Sequence, residues 1–432
     1  MTKPVYIFCF QAYNDIDHMT PVIDRLRRDH SDIDVVGVIF APHSRFKNDF
    51  RIRHLESIGV PISHVIDHIG GGTRPVWLSH LFYLQARASS DLTPRILRVA
   101  LRLLGRPMSK KRDARMAAFD AREFIGSVAN GRPVRAVCYD HTAAHPAYND
   151  ISKLGRVDGF FTAALPHAVD NWDNELLTVD DIDPFPNQLH SVYQADAVLV
   201  PDNRNLEQIL ARREVVEGQG VVLGSPRFCD EWVSKIRTLA PSYDLPKVTP
   251  GTLKVTLMMC RAHLNIFEDE VMRMIELISR ILGVELIVKL HTRNHLLGKK
   301  LPDNVHLAGN DVPSHDLIDW ADLTLFSATS VILDNLKLDK PVLFLRRTVA
   351  NKLIFERYIQ SWNVDCRDEL RDIITGLRDG LIERTYTVQE RDAVLSALVE
   401  PKGRDVLALY VDYIVTAAEA VRARVELKGT GK

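Results

Sequence analysis

Residues 319–345 read DWADLTLFSATSVILDNLKLDKPVLFL, and the way this stretch folds decides the architecture. Residues 323–326 form a short apolar run of strand length, while Val331, Ile332, Asn335, Leu336 and Leu338 recur at helical spacing. Between them lie the small and hydroxylated residues Ser327, Ala328, Thr329 and Ser330, so the pattern predicts strand, tight turn, helix. Hydroxyls placed there stand at the carboxyl end of a strand and at a helix N-terminus. Unpaired backbone N–H groups and the helix dipole favour an anion at such a point. The local alternative is that Thr329 or Ser330 only caps the helix.

The same alternation extends in both directions. Apolar runs at residues 5–10, 34–40 and 62–66, with helical patterns near 20–29 and 50–58, make a βαβαβ unit and hence a parallel sheet with right-handed crossovers. Further strands are expected at 134–139, 159–165, 197–200 and 221–223, closing a first domain over residues 1–232. Residues 233–253, with three prolines and no clear period, read as a linker. A second alternation, at 254–259, 285–290, 305–307, 323–326 and 342–345, gives a second domain over 254–391, and a helical tail follows over 392–432. The expected fold class is therefore α/β, with two Rossmann-like doubly wound domains facing a cleft.

Composition removes several function classes. Fifty-five Lys and Arg against 56 Asp and Glu leave a net charge of −1, so no global field recruits nucleic acid. No apolar stretch approaches the roughly 20 residues of a membrane-spanning helix. The opening MTKPVYIFCFQAYND carries no small-residue cleavage site and reads as a first strand. Cys9, Cys138, Cys229, Cys260 and Cys366 lack CxxC spacing, which argues for reduced thiols in a cytoplasmic protein and against a zinc site. No Asp-x-Asp pair follows a strand, and the acidic run at 180–184 reads as a solvated loop, so neither a metal nor a cofactor is expected.

Open parallel sheets bind ligands at the carboxyl ends of their strands. In the second half those ends offer Arg261, His263, His291, Arg293, Ser327, Thr329 and Ser330, a set of basic and hydroxyl groups suited to a phosphate or diphosphate. In the first half CYDHTAAHP (138–146) and ALPHAVDNWDNE (164–175) each place a histidine after an apolar strand, with carboxylates nearby. Histidine is suited to proton transfer near neutrality, and a neighbouring carboxylate orients it. Catalytic candidates are thus His167, oriented by Asp170 or Asp173, and the pair Asp140 and His141. Anion binders in one domain and a base in the other suit group transfer from an activated phosphate donor.

The two-domain plan, VVLGSPRFCDEW (221–232), KLHTR (289–293) and the 321–345 stretch together resemble the B-type glycosyltransferase (GT-B) fold. Within it they are similar to the branch of CDP-glycerol glycerophosphotransferases and bacterial capsule or surface-polysaccharide transferases, chiefly over residues 224–345. The resemblance implies that His291 and Arg293 face donor phosphates. It implies that Ser327, Thr329 and Ser330 bind the diphosphate, that Asp334 orients the ribose or sugar, and that His167 stands where the branch has a His-Gly pair and a base. Thr292, Ala328 and Ala168 depart from the branch pattern.

The expected activity is metal-independent transfer of a sugar from a CMP-, CDP- or UDP-linked donor to a glycan or lipid-linked acceptor. A polyol-phosphate transferase, a sugar-nucleotide 2-epimerase and a non-catalytic sugar-nucleotide or polysaccharide-binding protein are the alternatives. One insertion, residues 92–115, bears on the acceptor. Thr93 as cap, Pro94 at the first helical position and Gly105 as stop frame a helix over 93–106, with Arg95, Arg98, Arg102 and Arg106 on one face and Leu97, Leu101 and Leu104 opposite. With no acid in 92–112, this is the pattern of an interfacial helix on anionic lipid, which would bring a cytoplasmic protein to the inner face of the membrane. The alternative buries the leucines in the core and leaves the arginines in water.

Overall fold

Continuous apolar runs without polar alternation mark strands covered on both faces, as parallel sheets require. The computed structural model describes residues 2–41, 49–71, 74–89, 93–140, 146–174, 193–240, 242–260, 264–291, 300–309, 312–403 and 405–429. The chain divides into two compact units, one of residues 1–168, 190–229 and 402–432, the other of residues 169–189 and 230–401.

Among the described residues the first unit has seven strands: β1 (Val5–Phe10), β2 (Asp34–Ile39), β3 (Ile62–His64), β4 (Val134–Asp140), β5 (Phe161–Leu165), β6 (Ala197–Val200) and β7 (Gly220–Val222). They are ordered β3-β2-β1-β4-β5-β6-β7, and every pairing is parallel. The second unit has six: β8 (Leu253–Met258), β9 (Val284–Lys289), β10 (Val305–Ala308), β11 (Leu323–Phe326), β12 (Val342–Leu345) and β13 (Asn363–Val364). Their order is β10-β9-β8-β11-β12-β13, again parallel throughout. Both sheets have the doubly wound order whose direction reverses at one place, between β1 and β4 and between β8 and β11. Ligands of such sheets bind outside the carboxyl ends at that reversal.

Beneath the end of β11, Phe326 stacks on Phe344 at 5.2 Å and meets Trp362 edge-on at 5.1 Å. In register Phe326 lies opposite Met258 of β8 and Phe344 of β12. The turn that opens at Ser327 therefore stands on a packed aromatic floor.

Three elements differ from the sequence reading. The first helix runs Tyr13–Asp29, not from residue 20, and contains Pro21. Part of the stretch read as a linker is helical, Asp230–Leu239, and buries Trp232, Val233 and Ile236. The helix expected to stop at Gly105 runs Arg95–Ala117, and Gly105 lies buried within it beside Leu81 of the helix Val76–Ser89.

The last helix, Val406–Gly429, belongs to the first unit, where it packs on β4, β5 and the helix Tyr13–Asp29. Its buried Tyr410 donates a hydrogen bond of 2.9 Å to the Gly224 carbonyl. Tyr410→Phe leaves that carbonyl unpaired in the interior, and urea denaturation is expected to show a loss of roughly 1 to 3 kcal/mol.

Candidate functional site

At the reversal of the first sheet, three elements bring titratable groups together. Asp140 closes β4, His167 follows β5 by two residues, and Asp15 lies in the first turn of the helix that follows β1. Asp15 is fully buried and Asp140 nearly so, while a quarter of the His167 side chain is exposed. His167 Nδ1 donates to Asp140 Oδ2 at 2.9 Å and to Asp15 Oδ1 at 3.1 Å. The other oxygen of Asp15 accepts from the Gln11 and Ala12 amides at 2.6 and 2.8 Å, which fixes the carboxylate against the helix start. With Nδ1 committed as a donor, the ring faces outward through Nε2, which lies 3.1 Å from Asn14 Nδ2.

Electrostatics follow from this geometry. Burial alone would push the His167 imidazole down, but hydrogen bonds to Asp140 and Asp15, together with their charges, raise it to about 10. Asp15 is itself raised, first by burial and then by the charge of Asp140, against the opposing pull of His167. Two buried carboxylates share one imidazole, so a proton is held tightly within the trio. Its ligand atoms lie within 4.8 Å of one another, and these are the described residues able to hold a metal. A cation there would compete with the Nδ1 proton.

The turn that presents Asp15 is pinned by a second charge network. Asp17 pairs with Arg51 and, at 3.4 Å, with Arg227. Burial works against its ionisation, yet those guanidiniums hold its carboxyl below the ordinary value. Arg227 comes from the GSPRF turn, where Gly224 takes φ +98°, a region that favours glycine. Within the first unit, that motif thus steadies the helix start that carries Asp15.

The two carboxylates expected to orient His167 are engaged in the second unit. Asp170 accepts from the Trp172 amide at 3.1 Å, and Asp173 pairs with Lys352 at 3.2 Å and with Arg357, all within the second unit. The chain crosses into that unit directly after Ala168. His141, the other histidine proposed from the sequence, lies outside the described residues, as do Arg261, His263, Arg293 and the acidic run at 180–184.

At the reversal of the second sheet, the Ser327–Ser330 turn separates into two parts. Ser327 is buried, with its hydroxyl 2.9 Å from Thr348 Oγ1, which also bonds the Leu345 carbonyl. Thr329 and Ser330 are half-buried. Thr329 Oγ1 accepts from the Val331 amide at 3.3 Å, which closes the turn just before the helix, and the helix itself takes no side-chain cap. The helix that follows, Ile332–Lys337, is short and contains Asp334, which is buried. His291 is half-buried just beyond β9, where the preceding Lys289 is tied to the Gly309 and Val312 carbonyls. A cavity of about 370 Å³ opens where β12 ends, lined by Phe267, Arg346, Arg347, Asn351, Lys352 and Glu356 among others. The sequence reading missed its three cations. The signal was present in LRRTVANK, an Arg pair at a strand's carboxyl end.

No protein-family model matches the chain, and no curated protein matches it in sequence. Solved structures do. A UDP-GlcNAc 2-epimerase from Neisseria meningitidis, bound to UDP-GlcNAc, is 12% identical over 96% of this chain and 100% of its own, with a TM-score of 0.52. The wall teichoic acid polymerase TagF, soaked with CDPG, is 10% identical over 98% and 90%, with a TM-score of 0.51. The fold is GT-B. At such identities the likeness establishes two Rossmann-like domains and leaves the chemistry to the site.

Proposed function

We propose that the chain is a glycosyltransferase, moving a sugar from a nucleotide-activated donor to a surface polysaccharide or lipid-linked acceptor without a resident metal. The observation that carries this reading is the His167–Asp140–Asp15 trio at the reversal of the first sheet. A buried carboxylate pair holding Nδ1–H makes Nε2 a strong proton acceptor at the ring's outer edge. An acceptor hydroxyl gives its proton to Nε2 as its oxygen bonds the anomeric carbon. The bond from that carbon to the donor phosphate breaks, and the nucleotide departs with the electron pair. Asp140 and Asp15 hold the tautomer and stabilise the imidazolium that forms, as the carboxylate of a catalytic triad does.

The second unit holds the donor in this reading. Thr329, Ser330, His291 and the cations Arg346, Arg347 and Lys352 stand at its carboxyl edge, where hydroxyl, imidazole and guanidinium groups suit a diphosphate. Ser327 and Asp334, both buried, shape the turn. Arg261 and Arg293 belong to the same proposed set by their positions in the sequence. A CMP-, CDP- or UDP-linked donor is expected, and a lipid-linked acceptor places the protein at the inner face of the cell membrane. The described helices include none long and apolar enough to cross a membrane.

A thermal-shift screen with CMP, CDP, UDP and GDP identifies the nucleotide, since a ligand that binds the native state raises its melting temperature. Thr329→Ala and Ser330→Ala are expected to weaken binding of that nucleotide by roughly 1 to 3 kcal/mol. Loss of the Thr329 turn hydrogen bond alone costs about 1 kcal/mol of stability. Unchanged affinity in a less stable protein reduces the turn to a structural role and removes it from the donor site. A 2-epimerase shares the fold, as the Neisseria structure shows, and product formed from the donor with no acceptor present would replace the transfer reading by that one.

A further inference from the structure

Among the described residues the helix Arg95–Ala117 packs along one side. Its inner seam is Leu101, Gly105, Met108 and Met116, packed toward the helix Val76–Ser89 and the first unit's core, and Arg115 ties its far end to the Ile69 and Gly70 carbonyls at 3.0 and 3.1 Å. With about 100° between successive residues, the opposite side carries Ile96, Ala100, Leu103 and Pro107, with Leu104 and Val99 at its margins. These apolar residues are not in the core. Ile96 is 86% exposed, Leu104 62%, and Val99, Leu103 and Leu97 about half.

The alternative in which this helix buries its leucines therefore fails, and so does the simple two-faced pattern read from the sequence. The apolar ridge points away from the protein, and cations flank it. Arg95, Arg102, Arg106 and Lys110 fall along one border and Lys111 along the other, all exposed. Among the described residues none of these five has an acidic partner, and residues 93–112 contain no acid.

We propose that this outward face docks on an anionic lipid bilayer. The ridge of Ile96, Leu103 and Leu104 enters the boundary between headgroups and acyl chains, and Arg95, Arg102 and Arg106 pair with lipid phosphates. An apolar stripe bordered by cations on a helix that does not span is the form such binding takes. Charge selects the occupant. A second copy of the chain would set arginine against arginine across the ridge, and a nucleic acid would press its phosphates on exposed isoleucine and leucine. The inference deepens the lipid-linked acceptor reading above by supplying the surface that meets the membrane, and its test requires no turnover.

The full chain is sedimented at low salt with phosphatidylcholine vesicles, with and without phosphatidylglycerol. The wild type is expected to pellet only with the anionic vesicles and to be released by salt. Arg95→Gln/Arg102→Gln/Arg106→Gln is expected to lower partitioning roughly a hundredfold. Ile96→Ser/Leu103→Ser/Leu104→Ser is expected to lower it tenfold or more, on the order expected for withdrawing three apolar side chains from the interface. The substituted side chains are exposed, so both variants are expected to retain the wild-type melting temperature. A wild type that stays in the supernatant, or either variant that pellets like the wild type, overturns the proposal. A concentration-dependent dimer abolished by the serine variant would also overturn it, by giving the ridge to a second copy. A wild type that pellets but never transfers a sugar would leave the docking surface standing and remove the transferase reading.

Discussion

Alanine in place of His167 is expected to lower turnover by about a hundredfold or more and to leave nucleotide affinity nearly unchanged. In the proposed mechanism the imidazole touches the acceptor hydroxyl only, so its loss removes transition-state stabilisation and not donor binding. The trio also determines what its partners do. Asp140→Asn keeps the shape but withdraws one of the two charges that bias the ring, so on the alkaline plateau, where the ring is neutral in both proteins, it is expected to lower turnover less than His167→Ala does. Asp15→Asn carries a structural cost as well, because Asp15 also accepts the Gln11 and Ala12 amides that open the helix. Single-turnover kinetics on a verified acceptor separate these effects. Near-normal turnover in the His167→Ala variant would transfer the role to Asp140 or to His141. Should all three variants remain active, proton transfer at this sheet edge is the wrong mechanism, and a substrate-assisted route replaces it.

Much of this arrangement is legible in the sequence, and the failures have definite causes. Strands such as Val5–Phe10 and Leu323–Phe326 are continuous, nearly all-apolar runs bounded by turn residues, so their limits agree with the structure to the residue. That regularity fixes both sheet edges, and with them His167 and Asp140. Asp15 was missed because Pro21 reads as a helix start, the place where proline's missing N–H costs nothing. The helix begins eight residues earlier, at Tyr13, and proline is carried inside it. A carboxylate that looked like part of a loop is thereby turned inward at a helix N-terminus.

The partners of His167 illustrate a second limit. Asp170 and Asp173 are near in sequence, whereas Asp15 and Asp140 are 152 and 27 residues away. A parallel sheet aligns the carboxyl ends of β1, β4 and β5 side by side, so its order, not the spacing along the chain, selects the neighbours. Gly105 shows a third. Glycine often ends a helix because it takes the left-handed backbone readily, but Gly105 keeps helical backbone, buried beside Leu81, and the helix continues.

The trio also sets an expected pH profile. With His167 raised to about 10, only about one molecule in a thousand carries the neutral ring at pH 7. Turnover is therefore expected to rise tenfold per pH unit and to level off near the histidine's own value, a gain of roughly a thousandfold over pH 7. Asp140→Asn removes the nearer of the two carboxylates holding the proton, the one 2.9 Å from Nδ1, so its plateau is expected to begin at lower pH. Stability moves the opposite way. A histidine raised in the folded state contributes stability that is complete below its unfolded value near 6.5 and is lost as pH climbs toward about 10. Burial has the reverse effect on His18 and His64, lowered to about 3 and about 4, whose contributions are present above pH 6.5 and fade as pH falls toward those values. The melting temperature is thus expected to peak near neutrality and to decline on the alkaline side while turnover still climbs. His167→Ala should flatten the alkaline decline and leave the acid one in place. A profile of turnover that is level through neutrality and falls above pH 9 would show that the protonated ring is the working form. His167 would then act on the departing phosphate as an acid, and the assignment of the base would have to leave this trio.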